Sequence, residues 1–217
     1  MRVFGVILSV ALLASCQSWK ALSNDELVPE EAIERIRAKK ASEAQSLAEQ
    51  RAQRQKETFG ILADFVGNTY RGEPTGGSAE AVADIQQWTW EDEDAPTLLI
   101  QHSLEDGSYG GDTLVRRDAE TGELSYVYKT TAGFTTRGTF AVSKAGVWEA
   151  VEDVEGHGEI TKVRSKGHQR SDGALVSTSE YLKNGRWVPG HSFVYTKSDR
   201  TLAEHLDKPA IWEVWKR

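Results

Sequence analysis

From Asn68 onward the chain alternates between apolar and polar residues in short runs, and each run ends at a turn built on glycine, asparagine or aspartate. That period of two is the mark of strands with one buried face. The clearest stretch is Tyr109 to Phe140, which reads as three consecutive strands at about 112–117, 123–130 and 137–143. Leu124, Tyr126 and Tyr128 fall on one face of the middle strand, and Ser125, Val127 and Lys129 on the other. Glu120–Glu123 and Thr131–Gly133 hold the glycines that reverse the chain.

The same pattern extends to both sides. A first strand begins at Tyr70. A second, 81–91, carries Trp88 and Trp90 on one face and breaks at the acidic stretch Glu91–Asp94 and Pro96, a solvated turn without the spaced ligands of a calcium loop. The next, 97–105, places Leu98, Ile100, His102 and Leu104 together. Further strands are predicted at 147–154, 160–168, 174–182 and 187–197, separated by Lys144–Gly146, Glu155–Gly158, Ser171–Gly173 and Lys183–Arg186. Residues 202–206 read as a helical turn. Residues 210–216 read either as a closing strand or as a segment whose Trp212 and Trp215 pack outside the sheet.

About ten short strands joined by hairpins, with no helix between them to form a crossover, predict an all-β fold, an antiparallel up-and-down β-barrel whose closure removes exposed edges. An immunoglobulin sandwich of the disulfide-bonded kind is excluded, because the chain has one cysteine.

Before Asn68 the period changes. Residues 29–56 are almost all Ala, Glu, Arg, Lys and Gln, with Pro29-Glu30-Glu31 at the start and Ser23-x-x-Glu26 fitting a capping box. This predicts a long helix on the order of 40 Å at about 1.5 Å per residue. Ile33, Ile36 and Leu47 give it only a thin apolar stripe, so it reads as a solvated spacer or as a helix that contacts another protein. Phe59, Leu62, Phe65 and Val66 then form an apolar face on a short helix stopped by Gly67, a natural plug for one end of a barrel. The Gly-rich 74–78 segment lacks the lysine of a phosphate-binding loop.

Composition narrows the function. The net charge is −7, which argues against a nucleic-acid partner. Seven tryptophans point to large packing surfaces or an aromatic-lined pocket. The five histidines are scattered, and neither Gly-x-Ser-x-Gly nor His-Glu-x-x-His occurs, so the reading leans against an enzyme and assigns no metal.

The first residues are an address. Met1-Arg2 and the apolar run 3–13 form a secretory signal too short to span a membrane ordinarily. It ends in Leu13-Ala14-Ser15-Cys16, which resembles the bacterial lipobox. That resemblance implies cleavage before Cys16, acylation of its sulfur and membrane anchoring by acyl chains. Gln17, where inner-membrane lipoproteins carry Asp, implies the outer membrane facing the periplasm, with surface display as the alternative. The expected organisation is a signal peptide at 1–15, an anchor and helical tether at 16–57, and a barrel domain at 58–217.

The barrel residues resemble the lipocalin-like (calycin) domains of bacterial lipoproteins, distantly nitrobindin-like. The features are Phe65-Val-Gly-Asn-Thr-Tyr-Arg-Gly72, Trp88-Thr-Trp90, Gly107-Ser-Tyr-Gly-Gly-Asp112, Gly133-Phe-Thr-Thr-Arg-Gly138, Ser171-Asp-Gly173 and Gly185-Arg-Trp187. The resemblance covers 59–197 and implies a cup for a small apolar or amphipathic molecule. Nitrobindin-like relatives hold haem through a histidine near the C-terminus, for which His205 is the candidate by position; otherwise no cofactor is expected. His102 is a ligand contact, a general base or a satisfied interior histidine. Tyr126 and Tyr128 are ligand contacts or core. Arg116 is an inward partner for a carboxylate or an exposed strand end, and Trp88 and Trp90 are packing residues that can also meet a ligand. A barrel filled by its own side chains and serving as an interaction protein is the alternative function, with an enzyme on an apolar substrate as the third.

Overall fold

The computed structural model describes residues 29–75, 82–92 and 97–206. The segment read as a signal, Cys16, the expected Ser23–Glu26 capping box, residues 93–96 and the 210–216 tail with Trp212 and Trp215 lie outside the described residues. By internal contacts the chain divides into two units, Met1–Leu47 and Ala48–Arg217. Helix α1, Glu30–Phe59, crosses that division. Its described part in the first unit is solvated: Ile36 and Leu47 are exposed, and Arg35–Glu31 and Lys39–Glu43 pair at i,i+4. Such pairs contribute about 0.3–0.5 kcal/mol each, so this segment depends mainly on the helix propensity of its residues. Among the described residues no helix is long and apolar enough to cross a membrane.

The second unit is a closed barrel of ten antiparallel strands. These are β1 (Thr69–Pro74), β2 (Asp84–Asp92), β3 (Thr97–Leu104), β4 (Gly110–Arg117), β5 (Leu124–Thr130), β6 (Thr135–Val142), β7 (Val147–Glu155), β8 (Ile160–Gln169), β9 (Leu175–Lys183) and β10 (Arg186–Ser198). Each strand pairs with its neighbours in sequence, and β1 pairs with β10 to close the cylinder. The up-and-down topology follows from the turns. Asn184 and Gly185 both adopt positive φ in the two-residue link between β9 and β10, as a type I′ hairpin requires.

One end is plugged, by a device that differs from the amphipathic α-helix expected over 58–66. Helix α1 runs on to Phe59, Gly60 takes φ +56, and residues Gly60–Phe65 continue as a 3-10 helix. Gly60 carries no Cβ penalty in this left-handed conformation and so ends the α-helical turn. Leu62 and Phe65 are spaced by three, which a 3-10 helix aligns on one face, and Phe59, the last residue of α1, precedes them at the same spacing. All three are fully buried. Phe65 meets Trp88 at 5.2 Å, Trp148 at 5.7 Å and Tyr70 at 6.0 Å between ring centroids, each near edge-to-face, while Phe59 packs on Trp90 at 5.2 Å. Asn68 returns the chain to the wall, accepting from the Trp88 N–H through its carbonyl at 3.1 Å.

The barrel keeps a lumen because its inward positions alternate bulk with absence of bulk. Gly167 lies directly across from Trp148, and a Cβ there would stand 2.1 Å from Trp148 Cζ2. Gly72 lies across from Tyr195, with 2.4 Å between a Cβ at that position and Tyr195 Cε1. The rings occupy the vacated wall rather than the centre of the barrel. Outside the barrel, α2 (Leu202–His205) is capped by Thr201 with Glu204 in a capping box, and Leu202 and Leu206 bury against Ile85 of β2.

Phe65→Ala is expected to remove about 3–5 kcal/mol of stability by opening a cavity in the plug. Leu47→Ala, on the solvated helix, is expected to change it by less than about 0.5 kcal/mol. Urea unfolding followed by tryptophan fluorescence distinguishes them.

Candidate functional site

The lumen is a cavity of about 500 Å³. Toward the plug it is lined by Trp88, Ile100, Tyr126, Phe140, Trp148 and Leu175; toward the opposite end by Leu104, Tyr109, Phe134, Val154 and His157. No plug occupies that opposite end among the described residues.

A polar chain runs along the wall formed by β2 to β5. Asp84 is buried at the start of β2 and faces inward with Gln86 and Trp88. Its Oδ1 lies 2.8 Å from His102 Nδ1 on β3. Its Oδ2 accepts from the Tyr195 hydroxyl at 2.8 Å and from Gln86 Nε2 at 3.1 Å. A carboxylate with three such partners is well compensated for its burial. Because Asp84 accepts at Nδ1–H, His102 turns Nε2 toward Tyr128, whose Oη is 2.6 Å away. Tyr128 Oη in turn lies 2.7 Å from Tyr109 Oη. Trp88 Nε1 donates to Gln86 Oε1 at 3.3 Å and extends the chain toward the plug.

This arrangement can hold a proton in two ways. A neutral imidazole accepts the Tyr128 hydroxyl hydrogen at Nε2. An imidazolium donates from Nε2, and Tyr128 then donates to Tyr109. Either switch moves hydrogens only. Burial raises the Tyr109 hydroxyl to about 12, against the opposing bond from Tyr128, and burial likewise drives Tyr128 far above the ordinary phenol range. Both hydroxyls are therefore neutral donors and acceptors near neutral pH.

A second polar point stands on β7. Glu152 follows Trp148 and Ala150 on the inward face, directly across from Gly138. It accepts from the Thr136 hydroxyl and bonds to the Tyr126 hydroxyl. Burial raises its carboxyl above the ordinary range, and those two hydroxyls oppose the shift. A third polar group, His191 with Tyr181, lies nearby: the His191 backbone N–H donates to Tyr181 Oη at 3.4 Å, and burial lowers the imidazole.

The structure brings His102, Tyr126, Tyr128 and Trp88 together in the lumen. It separates the others. Trp90 is not on the cavity wall; it packs on Phe59 at the plugged end. Arg116 is on the outer face, its side chain 64% exposed and 3.7 Å from Glu91. The inward partners on β4 are Thr113 and Val115, which pair with Tyr128 and Tyr126, so register sets the arginine outside. His205 also lies outside the barrel: it is the last residue of α2, buried with Nε2 2.8 Å from Ser198 Oγ, and it is not among the residues lining the lumen. Asp84, Tyr109, Glu152 and Tyr195 were not among the sequence candidates. Parity was the available signal for two of them: Asp84 shares a face with Trp88, and Glu152 with Trp148. Tyr195 needed the β1–β10 closure, and Tyr109 sits in a turn.

No family model matches this sequence, and no curated protein matches it. The site therefore rests on its own geometry.

Glu152→Gln is expected to stabilise the fold near neutral pH. A carboxyl whose pKa is raised by folding stabilises the native state when protonated and loses that contribution as pH rises through the folded value. The advantage of the glutamine should shrink as pH falls toward the ordinary carboxylate range. Thermal midpoints of both proteins across that pH series check this.

Proposed function

We propose that this barrel is a binding cup for a small hydrophobic or amphipathic molecule, held at the cell envelope by a lipid anchor. The observation that carries the proposal is the 500 Å³ lumen, floored by aromatic side chains at the plugged end and furnished with a few fixed polar groups. That combination is the usual character of a small-molecule site. The ligand's apolar body rests on Trp88, Trp148, Tyr126 and Phe140, and its polar end meets the Asp84–His102–Tyr128–Tyr109 chain. The available volume favours this reading over a barrel filled by its own side chains. An enzyme is the second reading, favoured by the 2.8 Å and 2.6 Å contacts that couple Asp84, His102 and Tyr128 in the manner of a general-base relay.

The lipobox-like Leu13–Cys16 supports anchoring through Cys16, and Gln17 supports the periplasmic face of the outer membrane. In this reading the charged helix is a tether that can also contact another envelope protein.

The full-length Cys16→Ser chain, purified without detergent, should enhance the fluorescence of the neutral probe N-phenyl-1-naphthylamine saturably and at one site. Ser177→Phe, which fills the lumen, should abolish this; a protein that gives no enhancement is not a cup. In cells of a bacterial host, the same Cys16→Ser change should shift the protein from the membrane to the soluble fraction, and an unchanged distribution would rule out anchoring through Cys16.

A further inference from the structure

The lumen has a charge balance that a generic cup does not require. No lysine or arginine is among the described residues that line it. The ionisable groups among those residues, tyrosines aside, are Asp84, Glu152, His102, His157 and His191. Asp84 is matched by His102, Tyr195 and Gln86. Glu152 is not matched in this way. Its partners are the neutral hydroxyls of Thr136 and Tyr126, and it makes no ion pair among the described residues. A carboxylate drawn out of water beside neutral partners lacks the compensation that a cation supplies. Burial accordingly biases Glu152 toward its protonated form.

Two further features converge on the same residue. The wall across from Glu152 is Gly138, which adds no side chain to crowd the carboxyl. The cavity surface beside it is aromatic: Tyr126 and Phe140 lie 4.6 Å apart between centroids, and Trp148 is on the same face of β7. Aromatic faces carry negative electrostatic potential and attract cations.

We infer that the cup selects a cationic ligand, a hydrophobic amine whose ammonium group pairs with Glu152 while its apolar body lies against Tyr126, Phe140 and Trp148. This rests on the cup reading and specifies its ligand class. An ammonium brings both the missing positive charge and hydrogen-bond donors for the free acceptor capacity of the carboxylate. An anionic ligand such as a fatty acid meets two carboxyl groups and finds no lysine or arginine among the described lining residues to receive it, a mismatch that acts as a filter.

The test is a series on one ring scaffold that varies the charge of the polar group, added to the full-length Cys16→Ser chain by isothermal titration near neutral pH: 1-naphthylmethylamine, 1-naphthylmethanol and 1-naphthoate. The amine should bind tightest, by about tenfold or more over the carboxylate, a difference typical of one well-placed charge contact. In the same background Glu152→Gln should lose that preference, while Glu155→Gln, which changes an exposed carboxylate paired loosely with Arg137, should keep it. Near-ultraviolet circular dichroism reports whether Glu152→Gln remains folded, and the ranking in the parent chain does not depend on that variant. If N-phenyl-1-naphthylamine binds but the carboxylate equals or exceeds the amine, or if folded Glu152→Gln keeps the preference, charge selection is overturned and the cup survives. If neither the neutral probe nor any member of the series binds, the cup itself fails and the inference falls with it.

Discussion

Phe65 sits among three aromatic rings, Tyr70, Trp88 and Trp148, and the interior of the barrel depends on that contact. A closed cylinder of strands satisfies its backbone but leaves two open ends. Burial of Phe59, Leu62 and Phe65 seals one of them and ties the adjacent strands β1 and β2 to β7, on another part of the wall, through a single anchor. Each edge-to-face pair adds about 0.5–1.5 kcal/mol beyond the area it buries. The seal turns a tube into a vessel with a floor, and the tryptophans that hold the plug are also the floor.

Above the floor, chemistry follows from where the wall has room. Glycines opposite Trp148 and Tyr195 let those rings lie against the sheet. Tyr195 then reaches Asp84, and Asp84 orients His102, so a space left by an absent side chain on β1 ends as a fixed imidazole on β3. The polar chain is consequently well fixed, since Asp84, His102 and Tyr128 are each held by at least two side-chain partners. Glu152 is the exception, and the contrast between a carboxylate that is fully answered and one that is not gives the lumen its chemical direction.

Much of the architecture was legible in the sequence. The turns and the alternation placed the starts of all ten strands to within a few residues, because a half-buried antiparallel strand must alternate and a tight hairpin needs positive φ. Alternation also grouped Leu98, Ile100 and His102 on one face, and that face is the inner one. It did not say which face of β4 was inner, because Leu114 and Arg116 share one face and Thr113 and Val115 the other, and both faces mix apolar and polar residues. The three-residue spacing of the plug was visible, but a short apolar periodicity fits 3.0 and 3.6 residues per turn almost equally well.

The sequence by itself determined the local geometry: a charged helix, a run of hairpins, and two sets of side chains on each strand. These depend on interactions between residues close in the chain. Only the tertiary structure decided what the inner set forms together. The contact between Tyr195 and Asp84 spans 111 positions, and it exists because β1 pairs with β10 and so brings the last strand beside the first two. The exclusion of His205 and Arg116 from the lumen has the same origin. A residue's face is a local property, but which face becomes the inside is set only when the sheet closes.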